Sequence, residues 1–198
     1  MAMIHRPLFP GSMPEETVNE GAPRPVNLER ESIWISYCPM PVATGEPPRP
    51  GAFNFHHRLA TPVSPWERLK IGGGTPPILT RHGWLVVYHG VEQLTDPGQE
   101  PRRLRYSAGI MILSASHPRQ IVYRSLHPVL TPNLPQERVG VVDNVVFPTG
   151  IDRRDDRDGC ERFDVYYGMA DSRIGVARLS LPRRLPPEGC ADAPQGES

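Results

Sequence analysis

The chain has 198 residues and a balanced formal charge, 22 basic against 22 acidic, so it carries no electrostatic footprint for nucleic acid or an anionic membrane, and neither is expected as a partner. That length allows one domain or part of a larger one. Hydrophobic residues make up 38% and Gly plus Pro about a fifth, which predicts a folded core with irregular attachments rather than a low-complexity chain.

In chain order, residues 1–32 show little periodicity, and their one notable motif is His5-Arg6-Pro7, read as part of a partial strand followed by a loop. ESIWISYC (31–38) predicts a strand from its β-forming Ile33, Trp34, Ile35 and Tyr37. The proline-rich 39–52 predicts a loop, and FNFHHRLA (53–60) a short strand. Strand signals recur at 83–89, 104–113, 120–124, 141–149, 162–169 and 173–180. Turn signals separate them: DPG at 96–98, HP at 117–118, TPNLP at 131–135 and the charged DRRDDRDG at 152–159, read as a solvated hairpin tip. Residues 33–181 thus form the expected β-domain, and 182–198 reads as a disordered, proline-rich tail.

No segment sustains a 3.6-residue apolar period, so the fold class is all-β: sandwich, barrel or propeller. An internal echo favours the propeller. WLVVYHG (84–90) and FDVYYGMA (163–170) each end a β-rich run on an aromatic and a glycine, and each precedes a strand of small residues. No apolar run approaches the ~18 residues of a membrane span, and MAMIHRPLFPG lacks the apolar region of a signal peptide. A cytoplasmic protein is the simplest reading. Cys38, Cys160 and Cys190 are odd in number and form no CxxC pair, so neither a disulfide framework nor a metal site is expected.

Among residues that can carry chemistry, Lys70 stands out as the single lysine, the other 21 basic residues being arginine. It opens KIGGG, where glycines can bring backbone N–H groups close to an anion and a compact ammonium can neutralise it; the plain alternative is a flexible turn with a solvated lysine. The spacing is not that of a P-loop. Alternation puts Trp84, Val86 and Tyr88 on one strand face and Leu85, Val87 and His89 on the other. His89 is then either a satisfied core residue or a donor to a phosphate or sugar oxygen. Asp171, between two strands, and Asp143-Asn144, before VVFP, are placed to hold sugar hydroxyls or simply to make turns. No Ser-His-Asp order or HExxH motif occurs.

Eight blocks, HRP (5–7), IWISY (33–37), HHRL (56–59), KIGGGTPPI (70–78), GWLVVYHGV (83–91), RYSAGIMIL (105–113), NVVFPTG (144–150) and YYGMADSRIGVA (166–177), together resemble glycoside hydrolase family 130, the β-mannoside phosphorylases and some hydrolases. The resemblance implies a five-bladed β-propeller, here a partial one of about three blades. It implies inverting phosphorolysis of β-mannosides, such as β-1,4-linked mannosyl-glucose, to mannose 1-phosphate, with inorganic phosphate as co-substrate and no cofactor. By motif, Arg6, Lys70 and His89 match phosphate-binding positions, Tyr106 a residue near the phosphate, and Asp171 a carboxylate holding the mannosyl unit, with Asp143 and Asn144 beside it. The family's general-acid aspartate and a further phosphate-binding arginine lie upstream of the HRP motif, so no catalytic acid is expected here, and the chain reads as the C-terminal portion of a propeller, alone, as a homo-oligomer or with its other blades supplied separately. Residues 8–32 and 152–161 read as insertions. Two alternatives stand beside this reading: a non-catalytic carbohydrate-binding β-domain and a β-mannoside hydrolase.

Overall fold

A computed structural model describes residues 1–7, 31–38, 53–95, 98 and 102–187. Most of the loop expected over 39–52 and nearly all of the tail over 182–198 lie outside these residues, as does most of the segment 8–32.

Three antiparallel sheets follow one another along the chain. The first joins β1 (Ala2–His5), β2 (Ile33–Tyr37) and β3 (Asn54–Ala60) in that order. The second is built on β6 (Gly83–Gln93), which pairs with the short β4 (Lys70–Gly72) and β5 (Ile78–Thr80) on one side and with β7 (Leu104–Leu113) on the other; β8 (Ile121–Arg124) closes that edge. The third runs β9 (Val146–Arg157), β10 (Cys160–Met169), β11 (Arg173–Leu181), with β10 central. Among the described residues the only helical pieces are a 3-10 turn, Pro65–Glu67, and one α turn, α1 (Pro135–Arg138).

The second sheet is buried on both faces, as the near-continuous apolar run of β6 requires. Its Val86, Tyr88, Met111 and Leu113 pack with Ile33, Ile35 and Leu59 of the first sheet. Its Leu85, Val87, Ile110 and Ile112 pack with Phe163, Val165 and Tyr167 of the third. The expected alternation of β6 is therefore met: its two sets of side chains enter two different cores. Each such aliphatic side chain contributes about 1.5–3 kcal/mol on full burial.

The echo between WLVVYHG and FDVYYGMA has a structural cause, displaced by one residue from its sequence alignment. Tyr88 donates its hydroxyl to Glu67 Oε2 at 2.9 Å, and Tyr167 donates its own to Glu137 Oε1 at 2.8 Å. Each tyrosine ring also covers a cross-strand glycine. A Cβ on Gly109 would come within 3.0 Å of Tyr88 Cε1, and one on Gly175 within 2.6 Å of Tyr167 Cζ. Each glutamate sits in a Pro-started turn and accepts two backbone N–H groups of that turn, Val63 and Ser64 for Glu67, Asn133 and Leu134 for Glu137. A Glu–Tyr–Gly unit thus ties a turn to a hairpin in two successive sheets.

Glu67 is fully buried, and Arg124 Nη2 meets its Oε1 at 2.9 Å. Desolvating both charges costs several kcal/mol each. Two backbone donors, the tyrosine and the guanidinium offset that cost together. Burial and the neighbouring Glu67 hold the Tyr88 hydroxyl far above the usual tyrosine range, against the pull of Arg124.

Several elements differ from the sequence expectation. Residues 141–145 are not strand; β9 starts at Val146 and runs through the charged segment to Arg157. The solvated tip shrinks to Asp158-Gly159, both at positive φ. The charges extend the ladder because they pair with the second sheet or across the hairpin. Arg153 Nη1 meets Glu161 Oε1 at 2.8 Å, Arg81 Nε meets Glu161 Oε2 at 3.1 Å, and Arg154 Nε and Arg178 Nη2 grip Asp164 at 2.6 and 2.9 Å. The two arginines on Asp164 hold its carboxyl below the usual range.

Candidate functional site

Lys70 lies in β4, opposite Val91 of β6, which in turn faces Tyr106 of β7. One rung along, Gly72, His89 and Ala108 form the next row. Cross-strand partners and next-but-one residues share a face. Lys70, His89 and Tyr106 therefore project together, on the face turned to the third sheet. Lys70 Nζ stands 5.9 Å from the centroid of the Tyr106 ring, a cation–π contact, and the Tyr106 ring is stacked at 6.2 Å from that of His89.

Arg6 arrives from the end of β1, and Glu31 from the residues leading into β2. Arg6 Nη1 is 2.5 Å from Glu31 Oε2, and Lys70 Nζ is 4.0 Å from the same oxygen. The backbone secures this approach, since Ile71 N–H donates to Glu31 O at 3.1 Å. Two cations so converge on one carboxylate beside His89 and Tyr106.

The glycine run does something other than form an open cradle. Gly72 belongs to β4, and a Cβ there would lie 2.4 Å from His89 Cε1 and 2.8 Å from its Nε2: the imidazole rests on the bare backbone. Gly73 accepts a hydrogen bond from His89 Nδ1 at 2.9 Å. Gly74 is pressed between the Val87 carbonyl and Pro148, 2.3 and 2.8 Å from a built Cβ. Thr75 N–H then donates to Val87 O, and Val87 N–H to Thr75 Oγ1, at 2.9 and 3.1 Å. The run lets β4 pass close to β6 and to the third sheet.

His89 is 4% exposed, and its ring packs against Phe147 with centroids 4.4 Å apart. Burial lowers its pKa to about 4; the Gly73 carbonyl works against that, and the charges of Arg6 and Lys70 reinforce it. The neutral ring carries its proton on Nδ1, as the Gly73 partner requires, so Nε2 presents a lone pair. The donor role expected for His89 belongs to Nδ1 and is already used; at Nε2 the neutral ring accepts.

The candidate sugar residues gather at the same end of the sheets. Asn144 has φ +59, a conformation asparagine tolerates, and its carbonyl accepts from Tyr106 N–H at 2.9 Å. Tyr106 and Val145 form an isolated parallel bridge, and Ala170 N–H donates to Val145 O at 3.0 Å. Ala170 and Asp171 both have positive φ and turn the chain from β10 to β11, leaving the Asp171 side chain exposed. Val141 N–H donates to Ala170 O and to Ser172 Oγ at 3.0 and 3.1 Å, so the loop carrying Asp143 is zipped to the turn carrying Asp171. Asp143 is exposed and accepts from Gly140 N–H at 3.2 Å. The site residues expected from sequence are thus linked through short contacts. Glu31 and Phe147 were not among them. Phe147 stood in a recognised block, but nothing in the sequence around Glu31 marks it, since its contacts are all distant in the chain.

Comparison with known proteins supports one family. The family profile described as beta-1,4-mannooligosaccharide phosphorylase matches residues 27–184. A 1,2-beta-oligomannan phosphorylase of Thermoanaerobacter sp. (strain X514) is 34% identical over 127 residues, 64% of this chain and 38% of that protein. A Beta-1,4-mannooligosaccharide phosphorylase of Ruminococcus albus is 36% identical over 124 residues, 62% of this chain and 34% of that one. The chain therefore spans little more than a third of the length of these curated relatives. The structure of Beta-1,2-Mannobiose phosphorylase from Listeria innocua, in complex with beta-1,2-mannobiose, superposes with a TM-score of 0.61 at 24% identity, covering 91% of this chain and 40% of that one, and shows a shared fold. With the profile matching well over half of its residues, the chain belongs to glycoside hydrolase family 130, the beta-1,4-mannooligosaccharide phosphorylase family.

Proposed function

We propose that this chain is the phosphate- and mannose-holding part of a β-mannoside phosphorylase, its three sheets being three blades of a five-bladed propeller. One observation carries the reading: Arg6 and Lys70 converge on a single carboxylate oxygen, beside His89 and Tyr106, at the same end of the sheets as Asp171. Two cations that share one carboxylate retain net positive charge for an anion. Arg6 offers a planar fork suited to phosphate, and Lys70 a compact charge. Tyr106 and Phe147 wall the site and fix the His89 ring. Asp171, with Asp143 and Asn144 alongside, holds hydroxyls of the mannosyl unit, so that phosphate approaches its anomeric carbon from the Lys70 side. Positioning of this kind supplies a large part of the barrier reduction in such a displacement. Proton assistance to the leaving sugar is worth a further ~10²–10⁴-fold, and no described carboxylate at this site is free of a structural or sugar-holding assignment. The relatives named above act, by their names, on 1,2- and 1,4-linked mannosides, and the substrate class proposed here is correspondingly a β-mannoside of either linkage.

The test is to titrate β-1,4- and β-1,2-mannobiose into the purified chain with and without phosphate, and to analyse the mixture for mannose 1-phosphate and free mannose. Mannoside affinity that depends on phosphate supports the reading, with mannose 1-phosphate as the product if the chain turns over. Mannoside affinity indifferent to phosphate identifies a carbohydrate-binding domain instead, and free mannose a hydrolase.

A further inference from the structure

Glu31 is the least expected member of the cation cluster. Its Oε2 and Arg6 Nη1 are both shut off from solvent, yet neither makes a directed hydrogen bond, although they lie 2.5 Å apart as an ion pair. A buried carboxylate oxygen that accepts no hydrogen bond is costly, and native structures rarely leave one so. The lone pair on His89 Nε2 is a second acceptor in the same cluster, because Nδ1 is committed to Gly73. A site made only to attract anions would present donors alone. This one pairs two cations with two acceptors.

We propose that Glu31 and His89 Nε2 make the site selective for an oxyanion that carries a proton, hydrogen phosphate, over one that does not, sulfate. This deepens the phosphate reading above and rests on it. Arg6 and Lys70 supply charge attraction, which both anions satisfy equally. Glu31 Oε2 or His89 Nε2 accepts the P–OH proton, which sulfate lacks at neutral pH. Against sulfate the same groups face a bare oxygen: the carboxylate repels it, and the acceptors stay unsatisfied. Sites built to bond a hydroxyl reject analogues lacking it by large factors. Glu31 also reduces the cluster to a net single positive charge, which suits a monoanion. The proton shared with an acceptor fixes which phosphate oxygens point towards the cations and which is left to attack.

Isothermal titration of the purified chain with sodium phosphate and with sodium sulfate at matched ionic strength tests this, in the wild type and in Glu31→Gln. The expected result is phosphate binding at least about tenfold tighter than sulfate in the wild type. In Glu31→Gln, whose amide can donate to a bare oxygen, sulfate should tighten and the ratio fall towards one. Equal affinities in the wild type, or a ratio unchanged in Glu31→Gln, overturn the inference while leaving the phosphate site standing. If neither anion binds the wild type, the phosphate reading fails and takes the inference with it. Should Glu31→Gln not fold, as a melt would show, the wild-type ratio decides by itself.

Discussion

Replacing Gly72 with alanine is the sharpest structural test of the site. The new Cβ would lie 2.4 Å from His89 Cε1 and 2.8 Å from Nε2, well inside contact distance. The ring has little room to yield, since Phe147 packs on it at 4.4 Å and Tyr106 at 6.2 Å, centroid to centroid. Overpacking of this kind costs about 1–3 kcal/mol, and losing the His89 Nδ1–Gly73 bond about 0.5–1.5 kcal/mol more. Because Gly72 has no positive φ, alanine regains about 0.4–1 kcal/mol by restricting the unfolded chain. The net is a destabilisation of about 1–3 kcal/mol, which lowers the melting temperature by roughly 2–12 °C for a chain of this size. Phosphate binding should weaken with it as His89 leaves its place. Gly73→Ala is the matched control: its nearest neighbour, Ile4 Cγ2, is 3.7 Å away, so it should leave both properties nearly unchanged. A Gly72→Ala protein that melts and binds phosphate like the wild type would refute this account of the glycine run.

Other outcomes follow from the same contacts. Arg124→Met leaves Glu67 buried without its cation and should cost about 3–5 kcal/mol, read as a lower urea midpoint. Gly175→Ala drives a Cβ to 2.6 Å from Tyr167 Cζ and should cost about 1–3 kcal/mol by the same assay, testing the Glu–Tyr–Gly unit. For pH, His89 has a folded pKa of about 4, below its model value of 6.5. Below pH 6.5 the unfolded chain therefore takes up a proton that the folded chain refuses until about 4, and stability falls as the pH drops through that window. His5 and His57, both also lowered, add to the fall. Denaturant midpoints measured from pH 7 down to 4 should decline more steeply in the wild type than in His89→Asn, and parallel curves would contradict the buried, neutral His89.

The strands were legible where β-branched and aromatic residues cluster, as in Ile33–Tyr37 and Gly83–Gln93, because burial on one or both faces writes itself into the pattern. Charge misled the reading of 152–157, since the sequence does not show that Arg153 and Arg154 have carboxylates waiting across the hairpin. The glycines at 72 and 74 signalled close approach but not of what; the approaching groups proved to be the His89 ring and the Val87 carbonyl rather than a ligand. Lys70, His89, Tyr106 and Asn144 were found because each stands in a recognisable block. Glu31 was not, because what makes it notable is a meeting with Arg6 and Lys70 across long stretches of chain.

The central claim is that Lys70 and its neighbours bind phosphate, and the most direct measurement is a thermal melt of the wild type and of Lys70→Ala with and without millimolar phosphate. A ligand that binds only the folded state raises its melting temperature by mass action. The account predicts a cooperative wild-type transition that phosphate moves upward, and a Lys70→Ala transition at nearly the same starting temperature that phosphate leaves in place. An equal rise in both proteins, or none in either, would contradict it.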